Sequence, residues 1–276
     1  MIQKGKSQTI IHSHCICRKN AEYVPFITYK GETTFKDYEG IIIGKCKKCK
    51  VLKTLSSTTI PTQSHIDIYK DQEQEYQKLF KPLIEVIKKN KSRANVLDVG
   101  CSNGILLQML EKQKYKVWGI EPNKNAFKEA QKHLGKHIFM GTTKDFFKNK
   151  HYKYDVIIYN HVMEHVEDIN REFLYIKRLL APDGLLVIGV PNTNNFIFLL
   201  RKKFWESLLP LEHRWHFSDT YLVEYIKKNN FKILQTFYSN HSRHDYPLLK
   251  KIYFKILCLF NRLFHTGEAV VIVAKL

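Results

Sequence analysis

The stretch VLDVGCSNG, Val96–Gly104, runs without a break into ILLQMLEK, Ile105–Lys112, and it decides how the rest of the chain is read. A short β-branched run, a turn with two glycines and an amphipathic helix form the first unit of a parallel α/β sheet. Gly100 and Gly104 let the backbone turn tightly and approach a ligand where a Cβ would clash. The turn sits at the carboxyl end of a strand, where open α/β sheets bind ligands. Asp98 is the discriminating residue. Nucleotide-binding loops leave room for phosphate at that position. A carboxylate there repels phosphate and can hold the ammonium of an amino-acid-like cofactor.

Working outward, β-rich runs are predicted at Asn95–Val99, Val117–Ile120, His137–Met140, Tyr154–Tyr159 and Leu185–Val190. Helical periods fall between them at Ile105–Lys112, Asn125–Leu134, Thr143–Lys148 and Ile169–Leu180. A helix at Asp219–Asn229, a strand at Phe231–Tyr238 and a closing strand at Ala269–Ala274 complete the pattern. The alternation specifies a doubly wound α/β fold with helices on both faces of the sheet. The second strand ends VWGIEPN. Glu121 therefore stands at a strand tip about twenty residues after the glycine turn, a position suited to both hydroxyls of a ribose, and Pro122 breaks the strand.

These segments resemble motifs I and II of class I S-adenosylmethionine-dependent methyltransferases. YDVIIYNHVMEHVED, Tyr154–Asp168, resembles motif IV, and PDGLLVIGVPN, Pro182–Asn192, resembles the fifth-strand motif. The resemblance extends from about Ile66 to the carboxyl terminus. It implies a Rossmann-like sheet of seven mostly parallel strands with the last antiparallel, and S-adenosylmethionine as cofactor. It also implies that Asp98, Gly100, Cys101, Asn103 and Gly104 form the cofactor loop, with Ser102 in place of the usual third glycine. Glu121 and Pro122 would lie on the ribose side, Thr142 and Thr143 on the adenine side, and Asn160 and His161 along the methionine end.

Upstream, Cys15-x-Cys17 and Cys46-x-x-Cys49 form two short hooks. Four thiolates so spaced can hold a structural zinc, which would stabilise a segment too small to fold alone. His14 lies three residues before Cys17 and competes with Cys15 as the fourth ligand. Cys101 and Cys258 are flanked by apolar residues and read as core thiols. Similar cysteine modules precede the catalytic domain in bacterial methyltransferases resembling those of sugar and surface-polysaccharide pathways. The expected organisation is a zinc-ribbon-like module over 1–55, a linker and leading helix over 56–91, and a methyltransferase domain over 92–276. Within the linker, Ser56–Ser64 is a polar bridge and a helical pattern runs from about Ile66 to Lys91.

Methyl transfer from a sulfonium is an in-line displacement, with a base where the acceptor must lose a proton. Candidates are His161, Glu164 and His165 after the fourth core strand, and Glu212, His213 and His216 in EHRWHFSD. His165 and His216 are the leading choices for acid/base duty, with His213 read as structural. Glu-His after this strand also resembles quinone O-methyltransferases and small-RNA end methyltransferases, in which such residues can bind a divalent cation.

The chain carries 45 Lys and Arg against 26 Asp and Glu, a net charge of +19. That balance favours anionic partners, whether nucleic acid, phosphorylated or nucleotide-linked substrates, or an anionic membrane face. The scattered lysines equally fit a general compositional bias. Phe196–Leu209 and Tyr246–Phe264 are apolar, aromatic and basic. Each is predicted as an amphipathic rim helix, covering the acceptor pocket or resting on a membrane surface. The amino-terminal residues lack the apolar core of a signal peptide, and the thiol-rich hooks suit a reducing cytoplasm, peripheral to the inner membrane face if the rims rest there. Together these features point to methylation of a small, anionic or sugar-linked acceptor, with oxygen preferred over nitrogen or carbon. The alternatives are an RNA methyltransferase and a non-catalytic S-adenosylmethionine-binding scaffold.

Overall fold

A computed structural model describes residues 9–30, 38–55, 73–149, 152–240 and 246–276. The amino-terminal strands are β1 (Ile11–Cys15), β2 (Arg18–Thr28), β3 (Ile42–Cys46) and β4 (Leu52–Thr54). Helix α1 (Glu73–Asn90) leads into β5 (Asn95–Val99), α2 (Ile105–Lys112), β6 (Lys116–Glu121), α3 (Lys124–Leu134), β7 (Ile138–Met140) and α4 (Thr143–Asn149). Then come β8 (Tyr154–Asn160), α5 (Ile169–Leu179), β9 (Leu180–Pro191), α6 (Phe196–Arg201), β10 (Trp215–His216), α7 (Asp219–Lys228), β11 (Lys232–Ser239), α8 (Leu248–Leu263) and β12 (Ala269–Lys275).

Seven strands form one sheet in the order β11-β12-β9-β8-β5-β6-β7. Strands β5 to β9 are parallel, and β12 runs antiparallel to both β9 and β11. The order reverses at β5, so the glycine turn that follows it opens at the topological switch point. Both faces of the sheet are covered, which explains why its inner strands β8, β9 and β12 carry near-continuous apolar runs instead of alternating. Leu83 and Ile87 of α1, Leu107 and Leu110 of α2, and Ala130 and Leu134 of α3 pack one face. Phe146 of α4, Phe173 and Ile176 of α5, and Leu222 and Ile226 of α7 pack the other. Local chemistry sets the helix starts. Asn123, Asp168 and Ser218 each accept a hydrogen bond from a first-turn backbone N–H, satisfying donors that the helix itself cannot pair.

A second, antiparallel sheet has the order β1-β2-β3-β4-β10. Its last strand comes from the catalytic part of the chain, with Trp215 opposite Lys53 and His216 opposite Leu52. Trp215 is fully buried, its indole N–H donates to Val166 O at 2.8 Å, and Lys53 Nζ lies 5.1 Å from its ring centroid. A third core, with Ile27, Tyr29 and Ile43 from the small sheet, meets Phe198, Trp205 and Leu208 of the first rim segment and Phe254 and Leu257 of the second.

The leading helix is described from Glu73 to Asn90, and the expected polar bridge Ser56–Ser64 and helix start near Ile66 lie outside the described residues. Two expectations are corrected. Residue 180 opens β9 instead of closing the preceding helix. The first rim is not one amphipathic helix. It breaks after Arg201, where Lys202 takes a φ of 45°, and the chain turns so that Trp205 and Leu208 enter the third core.

Replacing Trp215 by Ala is expected to cost about 3–5 kcal/mol, the range for emptying a fully buried aromatic site. Urea unfolding with unchanged slope and a lowered midpoint is the measurement.

Candidate active site

The loop after β5 is held open by its backbone. Gly100 and Gly104 have φ of 71° and 80°, and a Cβ on either would lie under 3 Å from Val162 or Leu134. Ser102 also adopts a left-handed φ of 51°, a conformation that usually falls to glycine. It is pinned there because its N–H donates to Glu121 Oε2 at 2.8 Å. Glu121 Oε1 accepts from Asn123 N at 2.7 Å. The acid expected on the ribose thus also ties the two strand-tip loops together, with lone pairs left on both oxygens.

Asp98, Gly100, Cys101, Asn103 and Asn160 line the cavity at this switch point, joined by Ser102, Ile105, Leu106 and Phe80 of α1. Asp98 is only 4% exposed, and among the described residues no hydrogen bond or ion pair balances it. Burial, reinforced by the charge of Glu121, pushes its carboxyl up to about 8. A buried acid facing a cavity without a cation of its own fits the ammonium of S-adenosylmethionine. Cys101 contributes its backbone to the turn and packs its thiol in the core, within 2.6 Å of where a Cβ on Gly119 would stand. Asn160 has room for its carboxamide only because residue 189 is glycine, where a Cβ would fall 2.5 Å from Asn160 Oδ1.

Other assignments fall elsewhere. Pro122 is exposed. Thr142 is engaged with Asp145, its hydroxyl donating at 2.6 Å and Asp145 N donating back to Thr142 Oγ1 at 3.3 Å, a pairing that starts α4. Thr143 is buried with its hydroxyl 3.5 Å from Tyr159 OH, which donates to Glu172. Both threonine hydroxyls thus have partners within the protein. Phe80 went unnoticed because an aromatic on an amphipathic helix reads as core. Ser102 was noted only for the glycine it replaces.

Beyond β8 the chain brings Glu164, His165 and His213 together, with one ligand atom of each within 4.8 Å of the others. Glu164 is 1% exposed, and neither of its oxygens accepts a hydrogen bond. Its Oε1 lies 3.3 Å from Nδ1 of His161, an ion-pair distance when that ring is protonated. Burial works against the charge on Glu164, but His161, His213 and His165 outweigh it and hold the carboxyl down at about 2. His161 is exposed at a φ of 57°. Nδ1 of half-buried His165 sits 2.9 Å from Glu212 O. A carbonyl can only accept, so Nδ1 carries a proton, and in the neutral tautomer this selects, Nε2 holds the lone pair. His213, read as structural, joins the cluster instead, and burial pushes its ring down to about 4.

His216 is corrected. Expected to share acid/base duty, it is instead buried in β10, with Nε2 committed to Thr54 Oγ1 at 3.0 Å. That hydroxyl already donates to His213 O at 2.9 Å, so Nε2 of His216 is the donor and carries the proton. Burial and the neighbouring His213 push its ring down to about 3. Its role is to join the small sheet to the site.

The four amino-terminal cysteines converge, with Cys15 Sγ 3.5 Å from Cys49 Sγ and Cys17 Sγ 3.8 Å from Cys46 Sγ. These separations exclude disulfides and match the ~3.8 Å expected between thiolates around a tetrahedral zinc. His14 is not among them; its ring meets Trp215 edge-on at 6.5 Å. The donor set thus fits a zinc held by four thiolates, which would fix the β1–β2 and β3–β4 turns together.

The sheet order, the acid-bearing glycine turn at the switch point and the acid at the next strand tip define a class I S-adenosylmethionine-dependent methyltransferase. The chain belongs to the family described as "Methyltransferase domain", which matches residues 71–236. It is 29% identical over 158 residues to the mitochondrial ubiquinone biosynthesis O-methyltransferase of Bos taurus, covering 52% of this chain and 43% of that one. It is 26% identical over 148 residues to the Pelagibacter ubique enzyme of the same name, covering 50% and 61%. The chain thus spans about half the length of the curated relatives it matches. An Archaeoglobus fulgidus S-adenosylmethionine-dependent methyltransferase shares the fold at a TM-score of 0.57 and 15% identity, over 77% of this chain and all of that one (100%). A Pyrococcus horikoshii protein shares it at 0.53 and 18%, over 78% and 95%.

Two outcomes are expected here. With the Asp98 carboxyl protonated below about pH 8 in the free protein, binding the cofactor's ammonium must expel a proton. Affinity therefore falls as pH drops, by up to about tenfold per unit. Calorimetry near pH 6.5 in buffers of different ionisation enthalpy should report this proton release, and Asp98→Asn should abolish it; buffer-independent heats would remove Asp98 from this role. Separately, protein purified without chelator should carry about one zinc per chain. His14→Ala should retain it and Cys46→Ser should lose it by elemental analysis.

Proposed function

We propose that the chain transfers the methyl group of S-adenosylmethionine to a hydroxyl oxygen of a small-molecule acceptor seated beside Glu164, His165 and His213. The observation that carries this reading is the ionised, buried Glu164 carboxylate, set among the imidazoles of His161, His165 and His213 with neither oxygen accepting a hydrogen bond of good geometry. A buried charge is costly unless it is well paired and hydrogen-bonded, and this one, with the exposed His161 ring at ion-pair distance, stands beyond the strand whose last residue, Asn160, lines the cofactor cavity. The names of the matched relatives, ubiquinone biosynthesis O-methyltransferases, support oxygen as the acceptor atom.

S-adenosylmethionine supplies an electrophilic methyl on a sulfonium, so the protein's tasks are alignment and removal of the acceptor's proton. His165 suits the second task. Its Nδ1–H is committed to Glu212 O, so Nε2 is free to take a proton, and Glu164 stabilises the imidazolium that forms. The same three side chains fit a divalent cation, because Glu164 offers two unsatisfied oxygens and His165 an unprotonated nitrogen. Such an ion would supply Lewis acidity that lowers the acceptor's pKa. A sugar, nucleotide-sugar or surface-glycan acceptor, as the cysteine-bearing architecture implies, presents a hydroxyl that meets this requirement, and so does a quinol.

His165→Ala is expected to lower turnover by about 10²–10⁴ with cofactor affinity unchanged. The assay is release of S-adenosylhomocysteine over a panel of glycosyl, nucleotide-sugar and quinol acceptors and short RNA. A folded His165→Ala protein with near-normal turnover overturns the assignment. Activity lost to chelator and restored by magnesium or manganese makes the cluster a metal centre; activity indifferent to chelator makes His165 the base.

A further inference from the structure

Helix α8 is oriented against the usual rule. Of its 16 residues, LLKKIYFKILCLFNRL, only Phe254, Leu257 and Asn261 are buried. Leu249 is 82% exposed, Leu263 64%, and Ile252, Tyr253, Ile256, Leu259 and Phe260 are all between 42% and 55%. At 100° per residue these seven fall within one sector of about 120°, turned away from the core. Lys255, Arg262 and Lys251 follow that sector along one side. The helix contains no acidic residue.

The patch continues onto the neighbouring rim. The Phe196 ring lies 5.7 Å from that of Phe260 and 5.0 Å from that of Phe264, joining α6 to α8. There Leu199, Leu200 and Phe204 are exposed, with Lys202 exposed and Lys203 beside Phe204. A soluble monomer seldom leaves a contiguous apolar patch larger than about 300–600 Å², and a sector of seven large side chains extended by three more calls for an occupant.

Charge selects that occupant. A second copy would bring the bordering cations against their own kind, whereas anionic lipid headgroups complement them. The helix is about 24 Å long and carries cations along its length, and no described helix is long and apolar enough to cross a membrane. An apolar sector flanked by Lys and Arg with aromatic residues among its members is the pattern of a helix lying in the plane of a bilayer surface. We infer that the exposed apolar face of α8 and α6, bordered by lysines and an arginine, docks this methyltransferase on an anionic lipid surface.

The test is flotation of the full chain with phosphatidylcholine vesicles with or without phosphatidylglycerol. Binding to the anionic vesicles should exceed binding to the neutral ones by roughly tenfold and weaken with salt. The double variant Leu249→Asp/Ile256→Asp alters only exposed positions and should keep its thermal midpoint and cofactor affinity while losing about tenfold or more of its vesicle binding. Lys251→Glu/Lys255→Glu should erase the preference for phosphatidylglycerol. Wild-type protein that fails to float with anionic vesicles at low salt overturns the proposal, as does a double variant that floats like wild type. A dimer in sedimentation equilibrium that the double variant abolishes, with vesicles left unbound, would reassign the face to contact between copies.

Discussion

One carbonyl holds the site to the rest of the molecule. Glu164 O accepts hydrogen bonds from Arg214 N at 2.8 Å and Trp215 N at 3.0 Å. These bonds bring the segment carrying His213 against the one carrying Glu164 and His165. The same segment supplies β10, so the neighbour of the Glu164–His165–His213 cluster is also the fifth strand of the cysteine-bearing sheet. Thr54 completes the link by donating to His213 O and accepting from His216. The four clustered thiols, the register of β4 and the position of the His213 ring therefore form one chain of contacts, which gives the amino-terminal module a reason to be present in an enzyme.

The cofactor side follows a different logic. Asp98 and Glu121 are buried carboxylates whose pKa burial raises, and they sit on adjacent strands. Backbone N–H groups satisfy Glu121, while Asp98 is left without a partner. The free protein thus keeps the Asp98 carboxyl neutral by holding a proton. A cationic ligand takes that proton's place, so cofactor affinity is tied to pH.

Much of this was legible in the sequence because it depends on local chemistry. Glycines with positive φ, strand-tip acids and helix periods are set by residues next to one another, so the order of elements and the loop at Val96–Gly104 could be read directly. Each cysteine hook was legible for the same reason, since it lies in a tight turn, and the pairing of β2 with β3 then brings the two hooks together. What could not be read depends on pairing between distant segments. Nothing near Trp215 and His216 marks them as a strand of the amino-terminal sheet, and a histidine beside a histidine reads as chemistry until burial shows it bonded to Thr54. Phe80 hid in the same way, because the periodicity of a helix gives the face but not the neighbour.

The shared strand also has a consequence in time. β4 and β10 are joined across 162 residues, and a ribosome delivers the first long before the second. Until residue 216 emerges, β4 is an open sheet edge, with backbone donors and acceptors that any other extended segment can pair. The hooks at Cys15–Cys17 and Cys46–Cys49 are complete by then. Early metal capture would give the nascent sheet a fixed shape while it waits, and a slow-growing chain would carry this exposed edge longer, making translation speed a determinant of yield.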